Sequence, residues 1–163
     1  MEIKLKELEE KDLKLVQEIY NYYVVNSTVT FQTEPVSVEK LKTEIPVGHP
    51  KYKSFLITFD GQVCGYCYLA QYKNRQAYDR TAEVTIYLKP EFAGKGIGNE
   101  SLKQIETVAK ENQIKVLLAI ITEENYASVK LFESAGYEKC AHLKQVGEKY
   151  SRLLDVVKYQ KIV

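Results

Sequence analysis

The chain has little of several things that common functions require. It carries only two histidines, His49 and His142, and three cysteines. Two histidines leave no basis for a histidine-rich metal site and argue against a Ser-His-Asp triad, so no metal is expected. Three cysteines do not make a disulfide framework. There is no excess of either charge: 23 basic and 22 acidic residues leave a formal net charge of +1. A near-neutral, interspersed balance gives no electrostatic footprint for nucleic acid and no charged tail. No apolar stretch approaches the roughly 20 residues needed to span a bilayer. The start, MEIKLKELEEKDLK, is charged where a signal peptide needs an apolar segment. The reading is a cytoplasmic protein with no membrane partner. The glycosylation-like triplets at Asn26 and Asn99 then carry no weight, since that chemistry belongs to secreted chains. There is no internal repeat and no low-complexity linker. A length of 163 residues suits one self-sufficient core, so residues 1–163 are expected to form one domain.

Cys64 and Cys67 form a C-x-x-C, a spacing that suggests redox or zinc chemistry. The run QVCGYCYLAQY reads as a strand, however, and residues three apart on a strand point to opposite faces. A redox motif is also expected at a helix N-terminus, where a thiolate is stabilised. The two thiols are therefore read as small apolar packing groups.

Along the chain, Ile3 and Leu5 alternate with charge in a first strand. Asp12 precedes an apolar pattern of helical spacing: Leu13, Val16, Ile19, Tyr20 and Tyr23. STVTFQTEP reads as a loop, and Ser37 caps a short helix that Pro46 terminates. SFLITF and QVCGYCYLAQY flank Asp60-Gly61, a strong hairpin signal. TAEVTIYLK is a strand stopped by Pro90. Gly96 to Asn112 is a helix with Leu102, Ile105, Val108 and Ala109 inward. KVLLAII is an uninterrupted apolar strand, expected to be buried on both faces. YASVKLFESAG is a helix ending with Gly136 at C′. Two strands follow, around Lys139 to Gln145 and Leu153 to Lys161. The order gives a mixed α/β fold on a single sheet.

The chemistry is concentrated in VTIYLKPEFAGKGIGNESLKQIETVAKE. A strand ends at Pro90, and a turn containing Gly94, Gly96 and Gly98 leads into an amphipathic helix. Glycines let the backbone approach a ligand. The helix N-terminus adds free donors and a partial positive charge, a combination suited to a pyrophosphate. The competing reading is an ordinary glycine turn. A P-loop is absent, for lack of G-K-[ST]. A dinucleotide fingerprint fails as well, because the glycines run G-x-G-x-G and KVLLAII ends without an acid. The acetyl-CoA turn of GNAT enzymes, Q/R-x-x-G-x-G/A, matches from Ala93 to Gly98 except that Ala93 replaces Gln or Arg. Parity along TAEVTIYLK puts Ala82, Val84, Ile86 and Leu88 on one face and Thr81, Glu83, Thr85 and Tyr87 on the other. Glu83 faces either solvent or a cleft, and the adjoining glycine turn favours the cleft.

The sequence resembles the phosphinothricin acetyltransferase branch of the GNAT superfamily. The resemblance rests on IYNYYVVNSTVTFQTEP, RQAYDRTAEVTIYLKP, GKGIG and the N-x-x-S run beginning at Asn125. It implies a mixed central sheet splayed around acetyl-CoA, with flanking helices, and a homodimer, for which the high tyrosine content also speaks. It implies Glu83 as catalytic base, drawing a proton from the acceptor amine. It implies acetyl-CoA contacts at Ile86, Tyr87, Leu88, Gly94, Lys95, Gly96, Ile97, Gly98, Asn99, Asn125 and Phe132. Asn125 is equally readable as a helix N-cap. Phe132 stands where many of these enzymes place a thiolate-protonating Tyr, so no hydroxyl is available there. On the acceptor side the resemblance points to Phe31 and Thr85, and the run QYKNRQAY adds Tyr72, Arg75 and Tyr78 as a grip for a carboxylate or phosphinate. The family's VGyKfGrWlD becomes VGEKYSRLLD, so Glu148, Ser151 and Leu153 replace an aromatic, a Gly and a Trp.

The implied activity is N-acetylation of a small-molecule amine, an amino-acid-like zwitterion of the phosphinothricin, methionine sulfone or sulfoximine type. Two rival readings remain: a protein N-terminal acetyltransferase, and a catalytically weak acetyl-CoA-binding sensor.

Overall fold

The computed structural model describes residues 2–163. Strand β1 (Ile3–Glu7) leads to helices α1 (Leu13–Asn26) and α2 (Val38–Glu44). Strands β2 (Ser54–Phe59), β3 (Gln62–Gln71) and β4 (Thr81–Leu88) follow, then helix α3 (Ile97–Glu111). Strand β5 (Val116–Thr122), helix α4 (Tyr126–Ser134) and strands β6 (Glu138–Lys149) and β7 (Arg152–Ile162) complete the chain. The fold is mixed α/β, with the element order read from the sequence. No helix among the described residues is long and apolar enough to cross a membrane.

Local signals explain the boundaries. Ser37 accepts the Lys40 N–H and starts α2. Asp60 and Gly61 both take positive φ, which closes the β2–β3 hairpin in the twist the strands prefer. Gly136, at φ +90, ends α4. There the Tyr137 N–H reaches the Phe132 carbonyl and the Gly136 N–H reaches Glu133, a Schellman pairing.

The strands form one sheet in the order β1-β2-β3-β4-β5-β7-β6. Neighbours are antiparallel except β4 and β5, which run parallel. That parallel pairing covers only Thr81–Glu83 against Val116–Leu118. Beyond it the strands separate, and the sheet forks. One apolar cluster, with Leu69, Val84, Ile97, Leu102, Ile105 and Leu117, packs the face under α3 and α4. A second, with Leu13, Val16, Ile19, Leu41, Leu56 and Tyr66, packs the face under α1 and α2.

Three expectations are corrected. The register of β2 against β3 shifts between Ile57 and Thr58, a bulge that leaves Cys64 as the extra residue. A bulge reverses side-chain parity, so Cys64 and Cys67 share a face and lie in the same apolar cluster. Both thiols are free and buried, and burial pushes the Cys67 thiol far above its ordinary range. Strand β5 is not buried on both faces: Leu117, Ala119 and Ile121 are covered, while Ile120 is 38% exposed because it looks into the fork. The last two strands are longer than expected, because they close through a tight turn at Tyr150 and Ser151, both at positive φ.

Candidate active site

The fork opens into a cleft of about 760 Å³, within the size range of small-molecule sites. Backbone direction follows from the strand pairing. Arg80 gives its carbonyl to β5, through Lys115, while Thr81 and Lys89 bond toward β3. Alternation along the strand gives the Val84 N–H to β5, closing the last ladder bond at Leu118, and aims the N–H groups of Ile86 and Leu88 at the fork. Donors with no strand beside them are what an extended polar ligand needs.

The glycine turn closes one end of the cleft. Gly94 and Gly96 take φ +75 and +79, and nothing lies within 4 Å of where a Cβ would stand on either. The first intrahelical bond at this end of α3 is Glu100 N–H to the Gly96 carbonyl. The N–H groups of Ile97, Gly98 and Asn99 therefore have no partner within the helix. These donors sit at the positive end of the helix dipole, which suits a pyrophosphate.

Glu83 stands at the apex of the fork, paired with Leu118. Burial holds its carboxyl above the usual range, with Lys158 pulling weakly the other way. Around it stands a wall of tyrosines. Tyr87 packs against Tyr20, Tyr23 and Tyr66 with ring centroids 5.4 to 5.6 Å apart. Tyr66 stacks on Tyr68 at 6.3 Å. Burial raises all five phenols, so they remain neutral O–H donors at physiological pH. Among the described residues, no group of three or more His, Cys, Asp or Glu side chains gathers to hold a metal.

The cleft is lined by Phe31, Glu83, Thr85, Ile86, Tyr87, Leu88, Gly94, Gly96, Ile97, Gly98, Asn99, Asn125 and Phe132. Asn125 caps α4, accepting the Ser128 N–H at 3.3 Å and donating to the Ser128 hydroxyl at 3.1 Å, while it also faces the cleft. Phe132 is almost wholly buried against Tyr137, with ring centroids 5.0 Å apart. Lys95 does not line the cleft; its ammonium lies 5.5 Å from the Phe92 ring. Tyr72, Arg75 and Tyr78 do not line it either. They sit on the β3–β4 connection, at the paired end of β4, where Tyr72 and Tyr78 pack edge to face at 5.5 Å. Arg75 only starts the short turn Gln76–Tyr78, with no side-chain cap.

Sequence reasoning missed the tyrosine wall as a site. Tyr20 and Tyr23 read as helix core, and Tyr66 and Tyr68 flank Cys67 in a run dominated by its C-x-x-C spacing. Their period-two spacing on β3, on the face of Glu83 and Thr85 across the pairing Tyr68–Thr85, was the available signal.

A family profile described as the Acetyltransferase (GNAT) domain matches residues 5–157. A phosphinothricin N-acetyltransferase of Streptomyces coelicolor is 29% identical over 157 residues, covering 93% of this chain and 91% of the relative. The crystal structure of a ribosomal-protein-alanine N-acetyltransferase from Brucella melitensis superposes with a TM-score of 0.88 at 30% identity, over 98% of this chain and 99% of that one. A GNAT superfamily phosphinothricin acetyltransferase from Sinorhizobium meliloti, solved in complex with acetyl-CoA, superposes with a TM-score of 0.89 at 28% identity. That match covers 100% of this chain and 89% of the other.

Proposed function

The chain belongs to the GNAT acetyltransferase family, and from that premise we propose that it transfers an acetyl group from acetyl-CoA to the amine of a small, amino-acid-like zwitterion. The carrying observation is the fork: one apex carboxylate, Glu83, joined by an open strand edge to a glycine turn with free helix donors. The free N–H groups of Ile97, Gly98 and Asn99 suit the pyrophosphate of acetyl-CoA. The N–H groups aimed into the fork suit its amide arm. Acetyl-CoA supplies the acyl group as a thioester, with a leaving thiol whose ordinary pKa is about 8.5.

An alkylammonium, with a pKa of roughly 10.4, must lose a proton before it is a nucleophile. Glu83 takes that proton, directly or through water, and its raised pKa makes it a stronger base than a solvated carboxylate. Such help is typically worth about 10²–10⁴-fold. The N–H of Ile86 meets the developing oxyanion. Holding amine and thioester together is worth effective molarities of about 10⁵–10⁸ M. Tyr23 already donates to the Leu88 carbonyl and Tyr20 pairs with the Thr30 hydroxyl; the neutral phenols of Tyr66, Tyr68 and Tyr87 suit the oxygens of a sulfone, sulfoximine or phosphinate side chain.

The two apolar clusters flank one sheet, which supports reading residues 1–163 as a single domain. The absence of a membrane-crossing helix among the described residues is compatible with a cytoplasmic place of work. Homodimerisation belongs to the same reading. A second reading, acetylation of protein N-termini, draws on the likeness to the Brucella structure.

A thiol-release assay decides between them, with phosphinothricin, methionine sulfone, methionine sulfoximine, a simple alkylamine and a peptide with a free N-terminal alanine as acceptors. Turnover is expected with the amino acids. Turnover with the peptide alone would favour the second reading, and no acceptor-dependent release with any of the five would overturn both.

A further inference from the structure

Residues 27–37 join α1 to α2 with no regular structure, yet Val29, Thr30 and Phe31 line the cleft. Several ties hold this loop, and most come from the far end of the sheet. The Thr122 hydroxyl donates to the Thr28 carbonyl at 2.9 Å. The Thr28 hydroxyl donates to Glu124, which Arg152 grips through two bonds of 2.7 and 3.1 Å. Lys149 Nζ donates to the Thr30 carbonyl at 2.9 Å. The Phe31 ring lies on the backbone of Gly147, so close that a Cβ there would stand 2.4 Å from the ring.

Lys149 is the unusual member. It is 3% exposed, no carboxylate lies within 4 Å of it among the described residues, and burial pulls its pKa down. A buried ammonium without a carboxylate partner is costly, and only its hydrogen bonds offset that cost. Here it fixes one loop carbonyl. The turn beside it is also held under tension. Tyr150 and Ser151 adopt φ +53 and +57, a region that favours glycine. The Tyr150 hydroxyl anchors that turn to the end of α1 through the Val25 carbonyl at 2.6 Å. Strain of this kind persists where the surroundings over-determine it, and it clusters at functional sites.

We propose that the end of the β6–β7 hairpin, through Lys149 and Gly147, selects the acceptor by fixing the loop that carries Phe31. Lys149 is a positioning residue: it does not line the cleft, but it decides where the Phe31 wall stands. The proposal rests on the acetyltransferase reading above. Acceptors with long side chains meet this wall, and small ones do not.

The test uses Lys149→Met, Lys149→Arg, Gly147→Ala and Phe31→Leu in the full chain. For each, kcat/KM is measured with methionine sulfone and with glycine, acetyl-CoA affinity by calorimetry, and amide exchange over residues 27–33. Lys149→Met and Gly147→Ala are expected to change the ratio of the two kcat/KM values by about tenfold, mainly through acceptor KM, and to speed exchange in the loop. Lys149→Arg should restore part of the ratio. Acetyl-CoA affinity should stay within about twofold, the scale of a change remote from a site. If every variant lowers both acceptors equally, the hairpin is only structural and the proposal is wrong. Phe31→Leu keeps the question decidable should Lys149→Met not fold: an unchanged ratio there also overturns it. A wild-type protein inert on all amines would instead sink the acetyltransferase reading, a result visible before any variant is made.

Discussion

Glu83 is the residue whose replacement separates chemistry from binding. Glu83→Gln keeps the shape and removes the base, so kcat should fall by about 10²–10⁴-fold while acetyl-CoA affinity is unchanged. The deficit should shrink at high pH, where more amine is already neutral. Stability should move in the other direction. Burial raises the Glu83 pKa in the fold above its ordinary 4.5. A raised carboxyl favours the fold at pH values below 4.5, and that advantage is lost as pH rises through the folded value. Ionised Glu83 therefore burdens the fold at neutral pH. Glu83→Gln should raise Tm at pH 7, with a gain that shrinks as the pH falls through the folded value toward 4.5 and changes no further below it. An unaltered kcat at neutral pH would remove Glu83 as the base, whatever the melting curves do.

At the scale of elements, the glycine turn and the hairpin glycines make distinct predictions. Gly98 is in the first turn of α3, and a Cβ there meets Leu131 only at ordinary contact, 3.5 Å. An acid at a helix N-terminus is favourable to the helix itself. Gly98→Asp should therefore fold normally yet weaken acetyl-CoA binding at least about tenfold, because juxtaposed like charges cost up to several kcal/mol. Gly65 is the opposite case. A Cβ there would lie 2.3 Å from the Tyr87 carbonyl, backbone that has nowhere to go. Gly65→Ala should destabilise by roughly 1–3 kcal/mol, read as a Tm several degrees lower. Element types were legible because caps and periods are local: Ser37, Asp60-Gly61 and Gly136 each act where they stand. The bulge at Cys64 was not legible, since it is set by how β2 and β3 pair beyond the Asp60-Gly61 turn and not by any one residue type. Ile120 was misread for a related reason. An apolar run looks the same whether its second face meets protein or a cleft.

For the whole molecule, the site was half visible. Glu83 and the glycine turn lie next to each other in sequence, so strand parity alone could join them. Arg75 is equally close in sequence but sits at the paired end of β4, and only the direction of the fork separates it from the cleft. If one chain makes the whole site, Arg75→Ala is an exposed-loop change, and acceptor KM should stay within about twofold for amino acids and alkylamines alike. A larger rise confined to carboxylate-bearing acceptors would mean that the loop acts on the cleft of a second copy. Sedimentation at micromolar concentration, run on the same preparations, should show a dimer; a single monomer species would remove both the dimer and that route.

The three-residue seam between β4 and β5 has a mechanical consequence. Strands β1 to β4 and strands β5 to β7 meet along a short weld, backed by helices but by little backbone bonding. Such a joint behaves as a hinge line, and a ligand lying along the fork would act on it as a clasp. Without acetyl-CoA, amide hydrogens of Ile86, Leu88 and Ile120 should exchange rapidly for residues so central in a sheet. With it they should slow strongly, while those in the continuous β2–β3 pairing barely change. The enzyme would then be stiffest at the moment it is loaded, and loosest along the line where product must leave.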